Sequence, residues 1–213
     1  LAEGSAALAE HLGVPEMSAT VRNLEMPMHD SRSFSGMAAV YALSPRGACH
    51  LQGDMYGVDT GQSPPLELGI IPGDRFESSL EKGRITAKAQ AWRSIYNALI
   101  VCHFMNPEAN QLLSALNAAT GWDYSLEELM TIGKRIFTLK RIINNNLGSN
   151  REDDRLPDFM LKSLKEGGTL GSTPDLKILL QGAYSEHGWD PETGMPTPLT
   201  LDDLGLGFTH KQG

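Results

Sequence analysis

The stretch SLEELMTIGKRIFTLKRIINNNLG, residues 125–148, decides the fold class of this chain of 213 residues. Ser125 and Glu128 form the capping box that opens a helix, and Gly148 is the residue type that closes one. Between them, apolar residues recur every three or four positions, as in an amphipathic helix. They are Leu129, Ile132, Ile136, Leu139, Ile143 and Leu147. This pattern predicts a helix over residues 126–147 as a central element.

The sequence on either side of this stretch is also helical in character. Spacing and stop signals predict helices over residues 1–12, 88–105, 107–119 and 174–187. Residues 14–32 are predicted to be irregular, because Pro15 and Pro27 interrupt them. Residues 54–74 have the proline and glycine content of a loop, and residues 34–43 are short and apolar. No strand alternation is evident. We therefore expect a mainly α, irregular helical fold.

The helix predicted over residues 88–105 contains one of the two cysteines. Trp92, Ile95, Leu99 and Cys102 fall on one apolar stripe, and Pro107 suits the first turn of the next helix. A lone cysteine on such a stripe is usually a small core residue. From spacing alone, Cys102 is therefore predicted to be a buried thiol.

Composition narrows the function classes. A hydrophobic content of 40% and a charged content of 21% are typical of a globular protein. The net charge of −8 and the lack of a basic cluster argue against nucleic-acid binding. The longest apolar run, near residues 98–101, is too short to span a membrane. Only Cys49 and Cys102 are present, which argues against a disulfide scaffold and favours a cytoplasmic protein.

The chain begins Leu-Ala-Glu-Gly, without methionine and inside an apparent helix. No helix-start signal precedes that helix. We therefore expect residue 1 to be a cut in a longer chain, with further domains upstream.

Two blocks near the C-terminus carry a family resemblance. Residues 141–157 read RIINNNLGSNREDDRLP, and residues 188–206 read GWDPETGMPTPLTLDDLGL. In this order they resemble the C-terminal end of members of the aldehyde ferredoxin oxidoreductase family. Those members have the pattern R-x-F-N-x-R-x-G-x-x-R-x-x-D-x-L-P, followed by G-W-D-x-x-G-x-P-T and L-G-L. The resemblance covers nearly the whole chain. It implies that residues 1–28 end a middle helical domain and that residues 29–213 form the C-terminal helical domain.

The resemblance implies an oxidoreductase with two cofactors, both held only by the full-length protein. One is a tungsten (or molybdenum) bis-pterin, and the other is an iron–sulfur cluster of the 4Fe–4S type. Such enzymes oxidise an aldehyde to a carboxylate and pass the electrons to ferredoxin or another redox subunit. The missing N-terminal domains would be further partners of this chain, whereas nucleic acid and membrane would not.

Cys102 acquires a role through the same resemblance. Residues 97–104, NALIVCHF, are similar to the family's D-S-x-G-L-C-x-F, and Gln90 matches a glutamine upstream of it. There the cysteine is the fourth thiolate of the cluster, a ligation that suits iron–sulfur chemistry. The other three thiolates come from an upstream C-x-x-C-x-x-x-C run, which is absent from these residues.

Three residues are implied as pterin contacts: Asn97, Val101 and Gln52. Asn97 replaces the family's aspartate; its amide keeps an acceptor and two donors but loses the charge. Ile100 replaces a glycine of the same motif, and Gln52 stands where a basic contact is expected. Asn97 and residue 102 would lie about 140° apart on an ideal helix. They can therefore share a cleft only if the helix ends near Val101.

His50 is the implied catalytic residue. Residues 44–51, SPRGACHL, are similar to the family's S-x-R-G-x-x-H-L, in which the histidine approaches the metal. Imidazole suits proton transfer to or from the substrate because it titrates near neutrality. Without the resemblance, a loop histidine bonded to backbone is the simpler interpretation.

Two acidic positions are predicted to be structural. Asp30 and Arg32 match an H-D-x-R motif, which predicts an Asx-type turn with an ion pair. Adjacent carboxylates can bind hard cations, but Asp153 and Asp154 lie shortly before Pro157 and are predicted to form a solvated, structural turn.

Two alternatives remain open. Asn97, Ile100 and Asn146 replace the aspartate, glycine and arginine of the family pattern. These replacements are compatible with the tungsten subunit of an aryl-CoA reductase complex on the same scaffold. A helical interaction domain without cofactors is the alternative from another class. A C-x-x-C-x-x-x-C run upstream would favour a redox enzyme.

Overall fold

The computed structural model describes residues 2–62 and 64–211, the last two without their side chains. These residues form eight α-helices and one antiparallel pair of strands. The helices are α1 (Gly4–His11), α2 (Ser35–Leu43), α3 (Met55–Asp59), α4 (Leu80–Leu99), α5 (Ala109–Thr120), α6 (Leu126–Asn146), α7 (Leu176–His187) and α8 (Pro198–Asp203). The strands are β1 (Thr20–Val21) and β2 (Leu24–Glu25), with Val21 opposite Leu24. The mainly α class is confirmed.

Helix α4 is the centre of the fold and packs against both α6 and α7. Glycines make the close approach possible. A Cβ atom added at Gly133 of α6 would lie 2.3 Å from the Ala91 carbonyl oxygen of α4. One added at Gly182 of α7 would lie 2.0 Å from the Leu80 carbonyl oxygen. The helix backbones therefore touch, and Trp92 of α4 is buried in the core.

Helix α2 supplies the second part of the core, because all nine of its residues are buried. Its apolar side chains join those of α4 in one cluster that includes Met37, Val40, Tyr41, Met55, Ile85, Ile95 and Leu129. No helix among residues 2–62 and 64–211 is long and apolar enough to cross a lipid bilayer.

The predicted bounds of α4 were wrong at both ends. The helix begins eight residues earlier, at Leu80, because the Ser79 side chain caps it by accepting from the Lys82 amide. It ends at Leu99, because Ile100 adopts the left-handed conformation with φ of 57°. Cys102 therefore lies outside the helix with its side chain exposed, and it does not belong to the apolar stripe.

Helix α6 confirms its predicted bounds to within a residue, and the Ser125–Glu128 capping box forms. Its buried face differs from the predicted stripe. Gly133, Phe137 and Arg141 are buried together with Leu129, whereas Ile143 and Leu147 are exposed. The buried face of α6 differs from the predicted stripe because α6 packs closely against α4 at Gly133, and this contact turns the Gly133 side of the helix towards the core.

Three smaller predictions need correction. The region 14–32 contains the hairpin of β1 and β2, and the region 54–74 contains α3. Pro107 precedes Glu108, the N-cap of α5, and so lies outside the first turn. Helix α1 begins at Gly4 within the described residues, and Leu1 lies outside them.

Asp154 is not in a solvated turn but at the centre of a buried ion network. Its carboxylate accepts from Arg22 at 2.6 Å and from both terminal nitrogens of Arg141 at 2.7 and 2.8 Å. The Tyr184 hydroxyl donates to it as well. The prediction of a solvated turn failed because these partners lie far away in sequence.

The turn at Asp30 is confirmed. The Arg32 amide donates to Asp30 Oδ1 at 2.8 Å, and the Arg32 guanidinium pairs with Oδ2 at 2.7 Å. The motif is local, which is why the sequence predicted it.

Candidate functional site

Two pockets lie on either side of the loop that follows α2. The larger, about 550 Å³, is lined by titratable side chains from four segments of the chain, and we call it the histidine pocket. These groups are His29, His50, Asp54, Tyr56, Arg93 and His103. The smaller, about 420 Å³, is the amide pocket, lined by Arg46, Gln52, Asn97, Lys140 and Asn144 together with Pro45 and Ile143.

His50 begins a short 3₁₀ turn, residues 50–52, and its ring is half-buried in the wall of the histidine pocket. The ring centroid of His29 lies 5.0 Å from that of His50 and 4.6 Å from that of Tyr56. Burial lowers the pKa of His50, and the neighbouring His29 lowers it further. The imidazole is therefore neutral near pH 7 and able to accept a proton.

Arg93 and His103 form the opposite wall of the histidine pocket. Arg93 Nη2 donates to Asp54 Oδ2 at 3.1 Å, and its guanidinium carbon lies 4.8 Å from the Tyr96 ring centroid. His103 Nε2 lies 3.5 Å from Asn97 Oδ1, at the limit of a hydrogen bond. Burial also lowers the pKa of His103. Both histidines beside Arg93 are thus neutral.

The amide pocket brings together two of the residues predicted to contact a pterin. Gln52 is buried, and Asn97 is exposed near the C-terminal end of α4. Lys140 of α6 completes the wall, and burial lowers the pKa of its ammonium group. Asn144 Nδ2 donates to the Pro45 carbonyl at 2.6 Å, which ties α6 to the loop. The residues lining this pocket include two cations and no acid.

Cys102 and Val101 follow the left-handed turn at Ile100. The Val101 amide donates to the Tyr96 carbonyl at 3.0 Å, and its side chain is half-buried. Cys102 is exposed and lines neither pocket. Because α4 ends at Leu99, the condition for bringing residues 97 and 102 together is met. His50 and Asn97 nevertheless line adjacent pockets instead of one common cleft.

Of the polar residues named in these pockets, the sequence predicted only His50, Gln52 and Asn97; the residues it missed include His29, Arg93, His103 and Lys140. His29 and His103 stand next to motif residues that were considered, so their positions gave a usable signal. Arg93 and Lys140 lie on helices whose pocket-facing sides could not be known from spacing. Groups of three or more His, Cys, Asp or Glu side chains able to hold a metal do not occur among the described residues.

The fold and pockets define the class of protein: an irregular helical domain with a histidine-lined pocket beside an amide-lined pocket. A family model described as aldehyde ferredoxin oxidoreductase, domains 2 and 3, matches residues 1–206. The chain belongs to the aldehyde ferredoxin oxidoreductase family, as its motifs predicted.

Relatives with curated descriptions agree. The chain is 33% identical over 210 residues to the tungsten-containing aldehyde ferredoxin oxidoreductase of Pyrococcus furiosus, covering 97% of this chain and 34% of that protein. The enzyme of the same name from Thermococcus kodakarensis gives the same identity and coverage. The chain thus spans about a third of the length of these relatives. These relatives are tungsten-containing oxidoreductases.

A solved structure is also similar. The active site complex BamBC of benzoyl coenzyme A reductase, solved with 1,5-dienoyl-CoA, matches with a TM-score of 0.51 and 29% identity. The match covers 60% of this chain and 19% of that chain.

Proposed function

We propose that this chain forms one side of a tungsten-pterin centre in an enzyme that oxidises aldehydes to carboxylates and passes electrons to ferredoxin. The observation that carries the proposal is the position of His50, which lines a ligand-sized pocket next to the pocket that holds Gln52 and Asn97. The family's tungsten-containing relatives supply the chemistry. Residues 1–28 would end the middle domain, and residues 29–213 would form the last one.

The amide pocket fits a pterin in its donor set. Gln52 and Asn97 each offer one acceptor and two donors, which match the mixed donors and acceptors of a pterin ring. Gln52 lies at the buried wall and Asn97 at the exposed mouth. Val101 does not line this pocket, and its amide already donates to the Tyr96 carbonyl; it would provide an apolar contact at the turn that follows Ile100. The other groups needed to hold the pterin are not found among the described residues, and other domains would provide them.

The oxidation of an aldehyde consumes water: RCHO and H₂O give RCOOH, two protons and two electrons. The pterin-held metal would take up the two electrons. His50 would accept one of the released protons, because its neutral ring has a free lone pair at the pocket wall. His29 and Tyr56, in ring contact with each other, would fix the orientation of His50.

Cys102 would be this chain's single thiolate ligand to the 4Fe–4S cluster. Its exposed position outside α4 suits a ligand that meets groups from another domain. Only one exposed cysteine is available in the chain, because Cys49 is buried, with its sulfur 2.8 Å from Arg46 Nη2.

Replacement of His50 tests the catalytic role. In the full-length protein purified without oxygen, His50→Gln should lower kcat for aldehyde-dependent dye reduction by about 10²- to 10⁴-fold, because it removes the proton acceptor. Tungsten content should stay unchanged. The matched control is His11→Gln on the exposed side of α1, which should keep full activity. An unchanged kcat in His50→Gln would contradict the proposal.

Replacement of Cys102 tests the cluster. Cys102→Ser in the full-length protein should abolish the cluster's electron paramagnetic resonance signal and electron transfer, because a serine hydroxyl is a poor substitute for a thiolate. Cys49→Ser changes the other thiol and should keep the signal. If Cys102→Ser retains a normal cluster and normal activity, Cys102 has no part in electron transfer.

A second candidate follows from the similarity to the benzoyl coenzyme A reductase complex. In that case the same domain would serve reduction of an aryl-CoA ring. The full-length protein would then reduce an aryl-CoA thioester and leave aldehydes unoxidised. A protein without tungsten and iron would indicate the interaction domain instead.

A further inference from the structure

Arg93 has a hydrogen-bonding group that the protein itself does not use. It lies on α4 and lines the histidine pocket, with 12% of its side chain exposed. Its Nη2 pairs with Asp54, but its Nη1 is buried and has no hydrogen-bond partner among the described residues. A buried N–H of a charged group without an acceptor costs free energy, which a ligand oxygen would recover.

The charges around Arg93 permit an anion to bind. Among the described residues, Asp54 is the only acid that lines the pocket, and its carboxylate is already paired with Arg93. His50 is neutral near pH 7, because burial lowers its pKa. An entering carboxylate therefore meets one free cationic donor and one acid that is already neutralised.

The remaining walls favour an aromatic body behind that carboxylate. Tyr56, Val58, Ile70, Trp92 and Phe104 line the same cavity. Its volume of about 550 Å³ lies in the range of small-molecule pockets. Aromatic side chains pack against ligand rings edge-to-face or in offset stacks.

We propose that Arg93 is a specificity-determining residue that binds the carboxylate of an aromatic acid in the histidine pocket. Nη1 donates to one carboxylate oxygen. His103 lines the same pocket, and its Nδ1 is buried and also without a partner among the described residues. This rests on the proposed function: an aromatic aldehyde would enter the pocket, and its acid would be held there by Arg93.

The test uses the 213-residue chain with benzoate as the probe and benzamide as a neutral ligand of the same shape. Binding is followed by calorimetry and by the imidazole proton signals in nuclear magnetic resonance. Benzoate should bind at least about tenfold more tightly than benzamide, because a hydrogen bond to a charged group is the stronger one. Equal binding of the two ligands would overturn the proposal.

Three variants separate recognition from structure. Arg93→Gln should weaken benzoate binding about tenfold and leave benzamide binding unchanged. Arg84→Gln, on the same helix with 43% of its side chain exposed, should change neither. Asp54→Asn removes the acid that competes for Arg93 and should tighten benzoate binding. A purely structural Arg93 predicts no tightening, so weaker or unchanged binding in Asp54→Asn would overturn the proposal.

Folding is monitored by the thermal midpoint. If Arg93→Gln does not fold, Arg93→Lys decides the question together with Asp54→Asn. The lysine keeps the charge and should retain a preference for benzoate over benzamide, whereas loss of that preference would overturn the assignment.

The two proposals fail separately, since benzoate binding needs neither tungsten nor the iron–sulfur cluster. If benzoate binding depends on Arg93 but the protein oxidises no aldehyde, the carboxylate site is supported and the oxidoreductase mechanism is refuted. Aldehyde oxidation without any preference for benzoate would refute only the role of Arg93.

Discussion

At the residue scale, His187 shows how burial sets a charge state. Its ring stacks against Phe137 and Trp189, with centroid separations of 4.8 and 4.6 Å. Its Nε2 lies 3.1 Å from Gln90 Oε1. Burial lowers the pKa of His187 from 6.5 to about 3, and Lys134 and Arg141 act in the same direction. The ring is therefore neutral in the folded protein.

This shift predicts a loss of stability in acid. Because the unfolded chain takes up the proton first as the pH falls, His187 contributes its full stability above about pH 6.5 and loses it towards pH 3. The free energy of unfolding should fall by up to about 1.4 kcal/mol per pH unit in that window. Denaturant titrations between pH 4 and 7 measure the slope, because in this range the imidazole of the unfolded chain becomes protonated while the folded one stays neutral.

His187→Gln provides the control. It removes the titrating group and should flatten the slope, leaving the smaller contributions of His50 and His103, whose pKa values are also lowered. An equal slope in the wild-type chain and in His187→Gln would show that His187 does not govern the acid response.

At the element scale, the crossing of α4 and α6 depends on Gly133. An added Cβ would lie 2.3 Å from the Ala91 carbonyl oxygen, which is backbone and cannot rotate away. Gly133→Ala should therefore lower the free energy of unfolding by about 1–3 kcal/mol, although alanine is the better helix former. Gly168→Ala is the matched control, because nothing lies within 4 Å of its added Cβ. Equal stabilities of the two variants would contradict the close contact.

At the scale of the whole molecule, the Asp154 network connects elements that are distant in sequence. Arg22 stands in the turn between β1 and β2, Arg141 on α6 and Tyr184 on α7. Arg22 also donates to the Ala42 and Ser44 carbonyls at the end of α2. One carboxylate thus holds together the hairpin and the ends of three helices, including the loop before His50.

Asp154→Asn should be strongly destabilising. The variant leaves two arginines facing a neutral amide in a site where the Asp154 side chain is 0% exposed. Breaking a buried ion network in this way costs about 3–5 kcal/mol. Glu81→Gln at the exposed Glu81–Arg84 pair should cost less than about 1 kcal/mol. Thermal and chemical unfolding of both variants gives the comparison, and similar losses would refute the central role of Asp154.

The sequence by itself determined what depends on nearby residues. The capping box and period of α6, the Asp30–Arg32 turn and the family motifs were all readable, because each involves groups a few residues apart. The same motifs pointed to His50, Gln52 and Asn97, which the structure places around two adjoining pockets. The mainly α class followed from the number of such helical segments.

Only the tertiary structure decided which polar groups are buried and where α4 lies. The first turns of α4 contain Lys82 and Gly83, which give no apolar stripe; Lys82 is buried because Asp59 pairs with it at 2.5 Å. Asp154 is buried because Arg22, 132 residues away in sequence, reaches it. The pocket-facing positions of Arg93 and Lys140 likewise depend on how helices cross. Whether a polar side chain is buried depends on partners that are distant in sequence, and local sequence patterns do not indicate which of these partners will come into contact.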